Sequence, residues 1–156
     1  MIRKMIFFLI VAWPLVLHIL ILALPARAAS RVDRPALLEA ICYYETRGEP
    51  EPHRVVGDGG KSIGRCQVQI GTADFLLGGL FTADELRRYL HDPAVNAFLA
   101  DWVLALCLAR TPTVEQAIYC YNAGPRARWR RPTLYTKAVL LAYAEARRRA
   151  QWEEKP

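Results

Sequence analysis

The chain has 156 residues, of which 53% are apolar and 23% charged, with 9 Gly and 10 Pro. That is one domain's worth of sequence, too apolar for a disordered chain and free of collagen-like or low-complexity bias. Lys and Arg number 21 against 15 Asp and Glu, a net charge of +6.

Much of the apolar excess sits at the start. Residues 5–24, MIFFLIVAWPLVLHILILAL, contain no Asp, Glu, Lys or Arg. Arg3 and Lys4 precede the run, and Ala26-Arg27-Ala28 follows Pro25. A basic start, an apolar stretch and a small-x-small site form a secretory signal peptide, so residues 1–28 are expected to be removed after Ala28. The alternative is an uncleaved anchor in the inner membrane with the domain facing the periplasm, since twenty apolar residues can span a bilayer. Pro14 and His18 weigh against it. Cleavage leaves residues 29–156 as one domain. Arg3, Lys4 and Arg27 go with the signal, and the charge falls to +3, a mild basicity that suits an anionic cell-envelope setting and does not demand nucleic acid. The protein is then periplasmic or exported, and touches membrane only through residues 1–28 if they are kept. A domain of this size buries roughly two thirds of its unfolded surface, enough for one core. No internal repeat is visible.

The rest reads as mainly α, with at most a short extended segment. A first helix runs from Pro35 to about Arg47, capped by Asp33, with Pro35 in its first turn. Leu37, Leu38, Ile41 and Cys42 form its apolar stripe. Residues 48–64, punctuated by seven Gly and Pro, read as loop. Cys66-Gln67-Val68-Gln69-Ile70 alternates and reads as the extended piece. A short helix is expected from about Thr72. Thr82-Ala83-Asp84-Glu85 is a capping box opening another. Asp92-Pro93 opens a long helix to about Ala109, with Val95, Phe98, Leu99, Trp102 and Leu106 on one side. Thr113 to Tyr121 follows, stopped by Asn122-Ala123-Gly124-Pro125. Pro132 starts the last helix, with Leu134, Ala138, Leu141 and Ala142 inward. Arg147-Arg148-Arg149 reads as its solvated face.

Cys42, Cys66, Cys107 and Cys120 all lie beyond the signal. An even count in an exported chain fits two disulfides, and three pairings are open. With no C-x2-C pair, zinc is poorly supported. His53 and His91 are isolated, and no metal is expected. Glu45 lies seven residues past Leu38 and four past Ile41, on or beside the buried stripe. Against apolar and aromatic neighbours such as Tyr43 and Tyr44, a carboxyl keeps its proton to higher pH. That is the requirement for a general acid in glycosidic cleavage. Trp102, Trp129 and Trp152 are sugar-stacking candidates. Spacing favours the core for Trp102, and Trp129 sits in an arginine-rich run after Asn122.

Three motifs carry a resemblance. Glu45-Thr46, Gly64-Arg65-Cys66-Gln67 and Tyr121-Asn122-Ala123-Gly124-Pro125 resemble, in order, the E-S, G-L-M-Q and A-Y-N-A-G signatures of soluble-type (SLT) lytic transglycosylases. These are peptidoglycan-cleaving enzymes of the lysozyme-like superfamily. Asn96 falls where that family has N-I-x-x-G-x-x-Y-L, with Ala97 and Ala100 replacing Ile and Gly. Thr46, Arg65 and Cys66 also depart from the pattern. The resemblance covers about residues 35–145.

It implies a lysozyme-like α-helical domain that cleaves the MurNAc-GlcNAc β-1,4 bond and leaves a 1,6-anhydro end. Glu45 would be the single catalytic acid and base. Gln67 would line the glycan cleft, and Gln69 would share its face if the segment is extended. Tyr121 would donate its hydroxyl to the Glu45 carboxyl or to substrate, and Asn122 would shape the loop carrying it. Cys66 would alternate with Gln67 and face the core, and Cys42 lies one helical turn before Glu45, which favours Cys42–Cys66 with Cys107–Cys120. No cofactor is implied. The partners implied are peptidoglycan glycan strands and a secretion, conjugation or pilus machine that needs the wall opened locally.

Two alternatives differ in class. Asp58, in Gly57-Asp58-Gly59-Gly60, resembles an acidic loop residue of goose-type lysozymes. As a second carboxylate it would hold water for inverting hydrolysis. Its plainer role is to cap its own loop through backbone bonds. The other alternative is an inactive glycan-binding or assembly adaptor.

Overall fold

The computed structural model describes residues 32–153, with side chains described through Arg149. The signal-peptide or anchor reading of residues 1–28 lies outside the described residues, as does the Trp152 side chain.

The fold is mainly helical. Six helices are described: α1 (Arg34–Thr46), α2 (Ile70–Leu76), α3 (Ala83–Leu90), α4 (Pro93–Arg110), α5 (Val114–Ala123) and α6 (Leu134–Glu153). A three-stranded antiparallel sheet, β1 (Val56–Gly57), β2 (Ser62–Ile63) and β3 (Val68–Gln69), lies between α1 and α2. Its register pairs Val56 with Ile63 and Ser62 with Gln69.

Local chemistry sets the helix starts. The Asp33 carboxylate accepts from Ala36 N, and Asp92 accepts from Ala94 N and Val95 N. Thr82 and Glu85 complete a reciprocal capping box. Thr113 accepts from Gln116 N. α1 ends where Arg47 turns left-handed, at φ 51°.

The buried residues form two clusters. The larger joins Leu37 and Ile41 of α1, Leu104 and Leu108 of α4, Ala117 and Ile118 of α5, and Val139 and Tyr143 of α6. The smaller joins Cys42, Ile63, Cys66 and Val68 to Leu86 and Leu90 of α3 and to Leu99 and Ala100 of α4. α4 therefore runs through both, and Leu38 and Tyr121 pack against both. α4 is long and apolar enough to cross a bilayer, yet here it is pinned to α5 by the Cys107–Cys120 disulfide. Cys42–Cys66 ties α1 to the turn before β3. Closing loops of 24 and 13 residues contributes about 3 kcal/mol each in the chain-entropy picture.

Several expectations from sequence are corrected. Residues 48–64 are not all loop: they hold a 3₁₀ turn at Pro52–Arg54 and strands β1 and β2. Strands of two residues are too short to leave an alternating pattern. The extended piece shrinks to Val68–Gln69, because Gln67 is left-handed (φ 48°) and Ile70 already begins α2. The helix thus starts before Thr72.

Two core stripes are also rotated. Phe98 and Trp102 are 63% and 39% exposed and pack edge-to-face on each other. The buried side of α4 is Asn96, Leu99, Ala100, Leu104, Cys107 and Leu108, the side that faces the disulfide partner on α5. On α6, Leu134 and Leu141 are exposed, and Thr136, Val139 and Tyr143 point inward. Tyr143 Oη accepts from Asp33 N at 3.0 Å, so α6 turns its polar-tipped side to the start of α1.

Asn96 is the buried polar centre of the smaller cluster, 1% exposed. Its Nδ2 donates to Ile63 O (2.8 Å) and Leu90 O (3.1 Å), and its Oδ1 accepts from Cys66 N (2.9 Å). One amide thereby joins β2, the end of α3 and the Cys66 turn to α4. Gly64 makes room for it. At φ 77°, a Cβ there would lie 2.5 Å from Asn96 Nδ2 and 2.7 Å from Leu90 O. Replacing Asn96 by Ala strands two carbonyls and one N–H in the interior. Each costs about 1–3 kcal/mol, so urea denaturation of Asn96→Ala should show a loss of about 3 kcal/mol or more at unchanged m-value. Stability equal to wild type would contradict this role for the amide.

Candidate active site

A cleft of about 260 Å³ opens at the seam between the two clusters. Glu45, Asp58, Gln67, Gln69, Tyr121 and Asn122 all line it, with Ser62, Thr72, Val68 and Val103. Six candidates scattered over α1, the β1–β2 turn, β3 and its approach, and α5 are thus brought to one surface.

Glu45 sits in the last turn of α1, partly buried. Tyr135, in the first turn of α6, donates its hydroxyl to Glu45 Oε1 at 2.6 Å. The Tyr135 ring meets Tyr44 edge-to-face, with centroids 5.2 Å apart. Burial raises the Glu45 carboxyl above its usual value of 4.5. The Tyr135 bond favours the anion and opposes that rise, while the negative charge of Asp58 adds to it. The C-terminal end of a helix also disfavours a carboxylate. Tyr43, expected beside Glu45, is 57% exposed; the ring that counts is Tyr135.

Of the two roles expected for Tyr121, donor to Glu45 or to substrate, the first belongs instead to Tyr135. Tyr121 Oη donates to the Cys66 carbonyl at 2.9 Å, because the disulfide draws the Cys66 turn against α5. Burial and the charge of Glu45 push both phenols far above the normal tyrosine range, so both stay protonated as donors. Tyr135 had no signal in the sequence beyond being a tyrosine near a helix start, ninety residues from its partner.

Cys66 is held at three atoms. Its N–H goes to Asn96, its carbonyl accepts from Tyr121, and its sulfur is bonded to Cys42. Gln67 follows in the left-handed region, and its Nε2 donates to Gly64 O (2.8 Å) and Val55 O (3.3 Å). Gly57 accommodates the amide, since a Cβ there would lie 2.2 Å from Gln67 Oε1. Gln67 and Gln69 reach the same cleft by different backbone conformations, not through a shared strand face.

Asp58 is left-handed (φ 51°) at the β1–β2 turn, and its Oδ2 accepts from the buried Ser62 hydroxyl at 2.7 Å. The bond goes to a side chain rather than to loop backbone. Asp58 thus lies in the cleft with a fixed orientation and a negative charge felt by Glu45. Arg65, where the resemblance has Leu, forms an exposed ion pair with Glu39 across from α1. His91 donates Nδ1–H to the His53 carbonyl, and neither imidazole lines the cleft. Among the described residues, no three His, Cys, Asp or Glu side chains are grouped as metal ligands. Trp129 packs edge-to-face on Tyr119.

The arrangement supplies one carboxyl that keeps its proton to higher pH than usual, amide and hydroxyl groups for a polar ligand, and a second acidic group lining the same cleft. No family profile, curated relative or solved structure matches the chain.

The raised carboxyl has a consequence for stability. The folded state holds the Glu45 proton more tightly than the unfolded state does, so this group's contribution is full below about pH 4.5 and falls as pH rises through the folded value. Gln is a neutral mimic of the protonated acid. Thermal unfolding should find Glu45→Gln more stable than wild type at pH 8, with the gap closing below pH 4.5. Asp58→Asn should narrow the gap. A pH-independent difference would contradict the assignment.

Proposed function

We propose that the protein is an exported peptidoglycan lytic transglycosylase built on a lysozyme-like domain. The observation that carries this reading is the Glu45 carboxyl, raised by burial and oriented by Tyr135, in a cleft shared with Gln67, Gln69, Tyr121 and Asn122. The sequence resemblance names these same positions apart from Tyr135. Two disulfides fit an oxidising compartment outside the cytoplasm.

Glu45 gives its proton to the oxygen linking N-acetylmuramic acid to N-acetylglucosamine, and the C1–O bond breaks. The 2-acetamido oxygen stabilises the positive charge at C1 in place of a protein nucleophile. The C6 hydroxyl then bonds to C1, and its proton returns to Glu45. One glycosidic bond is exchanged for one 1,6-anhydro bond, water is not consumed, and the acid is regenerated. Tyr135 supports both halves of the cycle, since its hydroxyl stabilises the transient Glu45 anion. Gln67, fixed by two backbone carbonyls, offers a pre-oriented amide to the sugar. The setting that suits such a small enzyme is local wall opening for a secretion, conjugation or pilus machine.

One observation favours a second reading, hydrolysis with inversion. Asp58 lines the same cleft as Glu45 and is oriented by Ser62, as a water-holding base would be. Mass spectrometry of fragments from purified sacculi separates the two. Anhydro-ended muropeptides from wild type, about a thousandfold fewer from Glu45→Gln, and continued release by Asp58→Asn are expected. Reducing ends that vanish in Asp58→Asn would instead establish the hydrolase. Intact sacculi after wild-type treatment would leave only the adaptor role.

A further inference from the structure

The segment between α5 and α6 carries Arg126, Arg128, Arg130 and Arg131 within six residues, and no acidic residue. All four side chains are exposed, and none has a carboxylate within ion-pair distance among the described residues. The segment is tied to the cleft at both ends. Asn122, just before it, lines the cleft, and Tyr135, just after it, is bonded to Glu45. Its middle is braced on α5: the Trp129 ring packs edge-to-face on Tyr119 at 5.3 Å, and Tyr119 Oη donates to the Arg128 carbonyl. A further bond joins Ala127 N to Gly124 O.

This is a short, braced arch of unpaired positive charge anchored beside the acid. The cleft itself holds Glu45 and Asp58 and lacks any basic side chain, so the arch supplies attraction the cleft cannot. Guanidinium groups are suited to carboxylates, which they bind through paired N–H donors. We infer that the Arg126–Arg131 arch recognises carboxylates borne on side branches of the strand held in the cleft, and so selects glycan strands that carry peptide stems over strands stripped of them. The inference rests on the peptidoglycan reading and adds a specificity determinant to it. Neutral sugar rings offer the arch nothing; the free carboxylates of a stem peptide do.

The test compares two soluble preparations of one glycan strand population, with stem peptides retained or removed by an amidase. Binding is measured by calorimetry on Glu45→Gln protein, and cleavage on wild type. At low salt the peptide-bearing strands should bind about tenfold more tightly, as expected for a few exposed charge pairs acting together. About 0.3 M NaCl should remove most of that ratio. The ratio should fall to within twofold when all four arginines are replaced by Gln, and should be retained in part on replacement by Lys, which keeps the charge without the paired donors. Because the Lys variant changes the same four positions, its retained ratio separates charge from folding. Equal binding of both preparations, or a ratio that the Gln variant keeps, overturns the inference and leaves the glycan reading standing. Binding and cleavage of neither preparation overturns both.

Discussion

Three bonds to one residue hold the cleft together. Cys66 is joined through sulfur to Cys42 on α1, through its N–H to Asn96 on α4, and through its carbonyl to Tyr121 on α5. Cys42 is three residues before Glu45, so the disulfide sets the distance between the acid's helix and the turn that carries Gln67. Asn96 ties that turn to β2 and α3, and hence to the strand from which Ser62 orients Asp58. The cleft is therefore an arrangement of short, tightly fastened pieces rather than a face of one element. Sheet strands of two residues have little cohesion of their own, and the buried amide and the disulfide provide what they lack.

On that frame the electrostatics of the site are simple. A carboxyl at a helix C-terminus, partly buried and facing another carboxylate, is biased toward its neutral form. Tyr135 works in the opposite sense, and the balance matters for chemistry. An acid with no stabilising donor would release its proton too reluctantly, and one with several would lose it before substrate arrives. A single tyrosine hydroxyl at 2.6 Å lies between these limits. The tyrosine is itself braced by Tyr44, one residue before Glu45, so the donor and the acid share a support.

The sequence makes the helices, their caps and most of the cleft legible. Asp33, Thr82, Asp92 and Thr113 each mark a helix start with a side-chain oxygen, a local rule that needs no tertiary knowledge. The favoured disulfide pairing, Cys42–Cys66 with Cys107–Cys120, is the one found. What spacing cannot reveal is contact between distant segments. Tyr135 reaches Glu45 only because α6 packs on α1, and Tyr121 is diverted to Cys66 only because the disulfide brings that carbonyl close. The rotation of the α4 stripe has the same origin. Phe98 and Trp102 are the largest apolar groups on the helix, yet the disulfide at Cys107 decides which side faces inward. Asn96, apparently one polar residue on an apolar helix, turns out to be the most fully bonded side chain near the site.

The proposed chemistry depends on Glu45 holding its proton above the usual carboxylate range. A carbon-13 NMR titration of the glutamate side-chain carboxyls reads this directly, with the Glu45 signal assigned by its loss in Glu45→Gln. The expected midpoint lies above 4.5 in the wild-type protein and moves higher still in Tyr135→Phe, which loses the one bond favouring the anion. A midpoint at or below 4.5, unmoved by loss of the tyrosine hydroxyl, would mean an ordinary solvated carboxylate with no acid to give.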